Sequence, residues 1–443
     1  MKQKTVAFAT LGCKMNQADT QAMRAGFEGL GFSVVAFGDE ADVYVVNTCT
    51  VTGAADHQCR QLLRRALRMK ELRPGTVVVA AGCYAQTDAE GLLKLAPGID
   101  VIAGTVEKEG IAAIVSGRES GAASGRTDVL VGDVHGAKEF RPAPALDFRG
   151  RTRAYLRVQD GCDNRCSYCI VPFARGPGRS LRRDEALRQA RNLAGAGYKE
   201  IVVTGIHAGS YGHDLNPRAS LAGLLRGLHE TPGLERIRVS SLDPNEFTDE
   251  LFDALAALPR ICPHFHISLQ SGDERILRLM RRSYSPGRFA AVADRLRAIM
   301  PDVCIGADVI TGFPTEDEDS FRRTYEFIEG VRLSYLHIFR YSPRPGTAAV
   351  EMAGQVPEEV KKARGAALHG LRAELVKEFR QRFIGRTMDV LFETPKSDSP
   401  GMLSGLTGNY LRVIASGPET YRGSISSVKV TGISSGGLEA EIL

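Results

Sequence analysis

The chain has 443 residues, about three domains' worth at roughly 150 residues each, which excludes a small scaffold held together by disulfides. With 43% apolar and 25% charged residues it has the composition of a globular protein, not of a disordered or fibrous one. Fifty-seven basic against fifty-two acidic residues leave a formal charge of +5, which permits an anionic partner without requiring one, and nine cysteines are too few for a disulfide framework.

The opening MKQKTVAFATLGC is too short for a secretory signal, and no apolar run approaches the ~18–20 residues of a bilayer helix, so the expected setting is the cytoplasm with no membrane partner. Residues 1–119 alternate strand and helix patterns: TVAFAT, a helix from Gln17 to Leu30, VYVVNT, a helix over Ala54–Leu72, TVVVAA, and a shorter helix near Ala89–Leu95. That alternation predicts a parallel α/β sheet. Residues 120–147 are rich in Gly, Ala, Pro and polar side chains, contain one short apolar run, and read as a linker. From 148 to 378 the alternation returns in longer units built on TRAYLRV, EIVVTG, RIRVSS, HFHISL, IGADVITGF and YLHIFRY, and a charged helix follows from Pro357 to about Arg382. Six βα-type units fit a partial (β/α) barrel, whose chemistry sits at the carboxyl ends of the strands. Residues 379–443 carry short alternating runs separated by Gly, Pro and Ser turns, which predicts a small all-β barrel of about five strands.

Cys162, Cys166 and Cys169 in GCDNRCSYCIVP follow the first strand of the barrel-like block. A loop this tight can aim three sulfurs at one metal centre. Thiolates are the usual ligands of iron–sulfur clusters, and a cubane held by three of them keeps one iron open, as a catalytic site requires. A zinc site completed by a distant Cys or His, or plain buried cysteines, are the alternatives. Cys13 (TLGCKMNQ), Cys49 (VVNTCTVT) and Cys83 (AAGCYAQ) each lie one to three residues beyond a predicted strand of the first block. Parallel strands place those turns on one edge of the sheet, where three thiols could converge. Cys59, Cys262 and Cys304 read as small core residues.

The spacing Cys-x-x-x-Cys-x-x-Cys resembles the signature of the radical S-adenosylmethionine enzymes, which are built on a partial (β/α) barrel. The resemblance implies S-adenosylmethionine at the open iron and reductive cleavage of its sulfonium to a 5′-deoxyadenosyl radical. With a three-cysteine α/β domain before it and a basic helix and small β-barrel after it, the whole chain resembles the methylthiotransferase family. That resemblance implies a second 4Fe–4S cluster, held by Cys13, Cys49 and Cys83, which carries the sulfur to be inserted. It also implies that the last block is a TRAM-like RNA-binding barrel, GLTGNYLRV with Asn409 and Tyr410 matching its central motif. Among the family's substrate classes, GCKMNQ looks most like the type acting on threonylcarbamoyladenosine in tRNA, although Met15 stands where Val is common. ADVYVVNTCTVT, GCYAQ, TGIHAGSYG, HISLQSGD and FRYSPRPGT point the same way. The implied reaction is methylthiolation of carbon 2 of that nucleoside at tRNA position 37, with an external electron donor such as a reductase or flavodoxin-like protein. Isopentenyladenosine tRNA, a ribosomal protein, or a non-catalytic role as a metal-bearing RNA-binding protein are the other readings.

By the same resemblance, S-adenosylmethionine would meet the strand ends at Gly205, His207, Ser268, Gln270, Gly312, Glu316 and Arg340. Three basic clusters are expected to face RNA phosphates. One is the helix with Arg60, Arg64, Arg65, Arg68, Lys70 and Arg73. The second is the loop with Arg175, Arg179, Arg182 and Arg183, and the third is the helix with Lys361, Lys362, Arg364, Arg372, Lys377, Arg380 and Arg382, with Arg386 just beyond. Any one such run alone could equally be a solvated helix face.

Overall fold

The computed structural model describes residues 3–118, 126–137, 139–140, 151–395 and 401–443, so half of the expected linker 120–147 lies outside the described residues. The chain divides into two compact units, one taking in residues 1–147, 159–181 and 344–347, the other residues 148–158, 182–343 and 348–443. No described helix is long and apolar enough to cross a membrane.

The first unit opens with β1 (Thr5–Thr10), α1 (Lys14–Gly29), β2 (Ser33–Val35), β3 (Val43–Thr48), α2 (Gly53–Leu72), β4 (Val77–Gly82), α3 (Cys83–Thr87), α4 (Ala89–Leu95), β5 (Val101–Ala103), α5 (Ile111–Gly117) and β6 (Asp128–Leu130). The strands form one parallel sheet in the order β2-β1-β3-β4-β5-β6. Alternation within β3 explains why it is buried on both sides. Tyr44 and Val46 pack with Cys59, Leu63 and Ala66 of α2, while Val43 and Val45 pack with Met23 and Phe27 of α1 and Ile111 of α5. The apolar run expected inside the linker is β6, the sheet's edge. Its three residues are too few for periodicity to show, and Val129 stays 45% exposed.

After β7 (Arg153–Arg157), which belongs to the second unit, the first unit resumes with β8 (Gln159–Asp160), α6 (Val171–Arg175) and β9 (Arg179–Ser180). The second unit continues with α7 (Arg183–Gly195), β10 (Glu200–Thr204), α8 (Leu221–His229), β11 (Arg236–Val239), α9 (Asp249–Ala257), β12 (His264–Gln270), α10 (Glu274–Leu279), α11 (Pro286–Ile299), β13 (Cys304–Thr311), α12 (Glu318–Val331) and β14 (Tyr335–Arg340). Two three-stranded parallel sheets, β7-β10-β11 and β12-β13-β14, are joined through parallel bridges at Ile237–Ile261 and Leu242–Ile267. Six parallel strands in chain order, with helices between them, form the expected partial barrel. Ser220, Thr248, Asp273, Ser285 and Asp317 cap α8, α9, α10, α11 and α12 with their side chains, which fixes where each helix begins.

Helix α13 (Glu358–Gln381) leads to β15 (Thr387–Pro395), β16 (Met402–Thr407), β17 (Arg412–Ser416), β18 (Ile425–Ser434) and β19 (Gly437–Ile442). These five close into a barrel in the order β15-β16-β17-β19-β18, which leaves no free edge. Phe379 and Phe383 join its core beside Val390, Phe392, Val413 and Val428.

A buried ion cluster ties this small barrel to the βα strands. Arg238 donates from Nε and Nη2 to Glu200 at 2.7 and 3.2 Å. It also reaches the carbonyls of Gly408 and Thr407 at 2.8 and 3.2 Å. Arg236 donates to the carbonyls of Leu406 and Asp389 at 3.0 and 2.8 Å. Tyr410, at φ 67°, stacks on His264 with ring centroids 4.1 Å apart, and Asn409 donates to the Asp302 carbonyl. Asn409 and Tyr410, singled out as the centre of an RNA-binding motif, thus face inward and fasten the barrel. A left-handed turn closed by Thr407, whose hydroxyl accepts from the Leu411 amide, aims them that way.

Candidate active site

Cys13 is the N-cap of α1, Cys49 follows β3 directly, and Cys83 is the first residue of α3 after β4. Strands β1, β3 and β4 are neighbours, so the three turns lie side by side at the carboxyl edge of the sheet. Polar side chains fix them there. Asn16 donates to the carbonyls of Leu11 and Thr48 at 2.7 and 3.0 Å, which links the turns of Cys13 and Cys49. The Thr48 hydroxyl donates to the Ala81 carbonyl and accepts from the Ala85 amide, which links Cys49 to Cys83. Gly12 sits at φ +95°, and a methyl group there would lie 2.8 Å from both Cβ and Sγ of Cys49, so only glycine lets the two cysteines approach.

Cys49 and Cys83 are buried, while Cys13 is open to solvent on one side. Burial, then the nearby Cys83, pushes the Cys49 thiol up to about 12. Protein packed around Cys13 raises its thiol as well, against the pull of Arg175. Thiols held this way keep their protons at neutral pH until a metal displaces them. Cys59, a further thiol close by, takes the Cys49 amide and donates to the Cys49 carbonyl, both at 3.3 Å, so it braces the Cys49 turn.

The second trio also lies in the first unit. β8 and β9 pair antiparallel and close residues 161–178 into a loop that carries Cys162, Cys166 and Cys169, all half-buried. The Cys162 amide donates to the Gly176 carbonyl at 3.0 Å and the Cys169 amide to the Cys166 carbonyl at 3.1 Å. Gly161, at φ +73°, is required by close approach: an added methyl would lie 1.9 Å from the Pro177 carbonyl oxygen.

The strand ends of the second unit hold the remaining expected residues. Gly205 and His207 follow β10, and His207 Nε2 lies 2.5 Å from Glu246. Ser268 and Gln270 end β12 where its register slips, Gln270 taking a positive φ of 64°. The Gly312 amide donates to Glu316 at 2.6 Å, and buried Glu316 also pairs with Arg364 at 2.9 Å. Burial pushes the Glu316 carboxyl up, partly offset by that amide and by Arg364. Arg340 is exposed, with its guanidinium on Glu358.

Sequence reasoning missed one group here. His266 Nε2 lies 2.9 Å from Asp308, and His337 Nδ1 lies 3.3 Å from the same oxygen. Burial alone would raise the Asp308 carboxyl, but His266 and then His337 hold it well below the usual range. The signal was present in HFHIS, whose period of two puts His264 and His266 opposite Phe265 and Ile267.

Several of the basic residues expected to face RNA do not. Arg175, Arg179, Lys361 and Arg364 are all buried, with Arg175 and Arg179 on Asp160 and Arg364 on Glu316. Lys70 and Arg73 are tied to Asp100 and Asp42. A cation count along the chain cannot separate a solvated charge from one neutralised inside. Arg64, Arg65, Arg68, Lys362, Arg372 and Lys377 do remain exposed.

Comparison with known proteins places this architecture. Residues 5–104 match the model of an uncharacterized protein family, UPF0004, and residues 156–328 match the radical SAM superfamily. The chain is 39% identical over 431 residues to the threonylcarbamoyladenosine tRNA methylthiotransferase MtaB of Bacillus subtilis, covering 96% of this chain and 93% of that one. The chain belongs to the methylthiotransferase family of radical S-adenosylmethionine enzymes. Another family member, the MtaB of Aquifex aeolicus, is 40% identical over 386 residues, covering 87% of this chain and 92% of its own. A tRNA-2-methylthio-N(6)-dimethylallyladenosine synthase of Corynebacterium efficiens is 34% identical over 411 residues, 91% of this chain and 78% of that one. Among solved structures, the radical S-adenosylmethionine methyltransferase TsrM from Kitasatospora setae, with cobalamin and a 4Fe–4S cluster bound, superposes with a TM-score of 0.57. It covers 79% of this chain and 77% of its own at 15% identity, a likeness of fold.

The donor sets of this family member suit the metal centres its family implies. Each trio offers three soft sulfur ligands. Among the described residues, the tight grouping of three ligand atoms within 4.8 Å is found at His266, Asp308 and His337.

Proposed function

We propose that this chain transfers a methylthio group to carbon 2 of N6-threonylcarbamoyladenosine at tRNA position 37, in the cytoplasm, with S-adenosylmethionine and two 4Fe–4S clusters. Cys162, Cys166 and Cys169 would hold the first cluster, and Cys13, Cys49 and Cys83 the second. The observation that carries the reading is the presence, in one compact unit, of two separate sets of three thiols, one on three neighbouring turns and one on a single loop, each able to leave an iron open. When bound, these groups supply a 5′-deoxyadenosyl radical and a sulfur for transfer; an external reductase or flavodoxin-like protein would supply the electrons.

The chain's own residues do the positioning. Gly12, Asn16 and Thr48 hold the first three turns together, and Gly161 lets the second loop close on Pro177. Gly205, His207, Ser268, Gln270, Gly312, Glu316 and Arg340 stand at strand ends suited to S-adenosylmethionine. Because Gly312 and Arg364 already engage the Glu316 carboxylate, its role there is to hold the turn. Gly161→Ala should therefore cost the iron held by its own loop and leave the iron of the other trio, read as iron per chain.

The threonylcarbamoyladenosine assignment draws on GCKMNQ and on the names of the relatives with the higher identities. Expression in a host that makes threonylcarbamoyladenosine and isopentenyladenosine but methylthiolates neither tests it. Only the first nucleoside should gain the 2-methylthio group in digested tRNA; gain on the second alone would transfer the assignment to isopentenyladenosine. Exposed Arg64, Arg65 and Arg68 supply phosphate contacts in this reading. Replacing one by Gln should weaken tRNA binding and reduce the slope of log affinity against log salt by about 1.

A further inference from the structure

Arg175 ends α6, six residues after Cys169, and its side chain is 1% exposed. Its guanidinium reaches the anchors of both thiol loops. Nη1 donates to Asp160 at 3.0 Å, two residues before Cys162. Nη2 donates to Asn16 at 2.7 Å and to Asp19 at 2.9 Å, both on α1 just after Cys13. Asn16 in turn holds the carbonyls of Leu11 and Thr48, beside Cys13 and Cys49. One planar fork therefore spans the two loops, a task for which the point charge of lysine is poorly shaped.

The charges around it do not balance. Lys108 also pairs with Asp19, and Arg179 lies 3.7 Å from Asp160, so among the described residues three cations face these two carboxylates in a buried network. A buried excess positive charge is costly unless an anion stands near it. The Cys13 turn lies directly beside this network, because the Asn16 and Asp19 side chains that Arg175 holds are in the first turns of the helix that Cys13 caps. An iron–sulfur cluster with three thiolates is the anion that fits, and the net charge around a cluster helps set its potential.

We infer that Arg175 is a positioning residue that locks the two cysteine loops in register and sets a buried positive charge against the Cys13/Cys49/Cys83 centre, which eases its reduction. The inference rests on the cluster assignment above. A variant with Cys162, Cys166 and Cys169 all replaced by Ala retains only the first trio and serves as the parent, its reduction followed by electron paramagnetic resonance in a redox titration. In that parent, Arg175→Met should move the midpoint to a more negative potential, and Arg175→Lys should return most of the shift. Asp160→Asn removes a compensating negative charge and should move the midpoint the other way. An Arg175→Met protein with the parent's iron content and an unchanged midpoint would overturn the inference alone. If Arg175→Met fails to fold, Asp160→Asn decides: a positive shift supports the inference, an unchanged midpoint overturns it. A parent that takes up no iron would bring down the cluster assignment and the inference with it.

Discussion

Replacing Cys13 by Ala should leave 5′-deoxyadenosine formation running while methylthiolated nucleoside falls to the level of a protein-free control. The expectation follows from the separation of the two thiol sets. Cys13 caps α1 at the edge of the six-stranded sheet, whereas Cys162, Cys166 and Cys169 sit on their own loop closed by β8 and β9. Removing one thiol from the first set leaves the hydrogen bonds and glycines that shape the second untouched. Cys166→Ala should behave differently and abolish both products, because under the proposed assignment reductive cleavage of S-adenosylmethionine depends on the cluster that loop would hold. A Cys13→Ala protein that still produced the modified nucleoside at the wild-type rate would rule out a sulfur-bearing role for the first trio. Iron per chain should fall by about half in either variant, given equal clusters at the two sites.

The second large effect concerns stability. Arg238→Met should destabilise the second unit by about 3–5 kcal/mol, because it leaves Glu200 charged, fully buried and short of its main partner. Burial opposes the charge on Glu200, and Arg238 with Arg153 and Arg236 together more than offset it, holding the carboxyl below the usual range. The same substitution removes the hydrogen bonds to Thr407 and Gly408 that fasten the small barrel. Thermal unfolding should shift down by at least ~6 °C. Adding Glu200→Gln to Arg238→Met should recover part of that loss, since the double variant no longer buries a carboxylate without its main partner, although Arg236 then loses its neighbouring carboxylate. A single variant that melts with the wild type would show the cluster to be dispensable.

Much of this was legible in the sequence because the strong signals are local. Three cysteines in eight residues need no structure to be noticed, and the βα alternation gave the order of all six barrel strands. Convergence of Cys13, Cys49 and Cys83 followed from strand direction alone, since parallel strands end on one edge. What stayed hidden depends on contacts between distant residues. Arg175 and Arg364 look like RNA-facing cations until they are seen buried against Asp19, Asp160 and Glu316. Asn409 and Tyr410 match a motif, but only the left-handed turn before Leu411 reveals that they point at His264 and Asp302. The His266, Asp308 and His337 group joins three strands, and no single segment contains its pattern.

The most direct test is anaerobic reconstitution with iron and sulfide, followed by reaction with S-adenosylmethionine, dithionite and tRNA carrying either threonylcarbamoyladenosine or isopentenyladenosine. 5′-Deoxyadenosine and the nucleosides would be measured together by mass spectrometry. The account predicts 2-methylthio product with the threonylcarbamoyladenosine tRNA alone, accompanied by 5′-deoxyadenosine and lost in the Cys13→Ala protein. Formation of 5′-deoxyadenosine with neither nucleoside changed would contradict the tRNA assignment and point to a different methylthio acceptor.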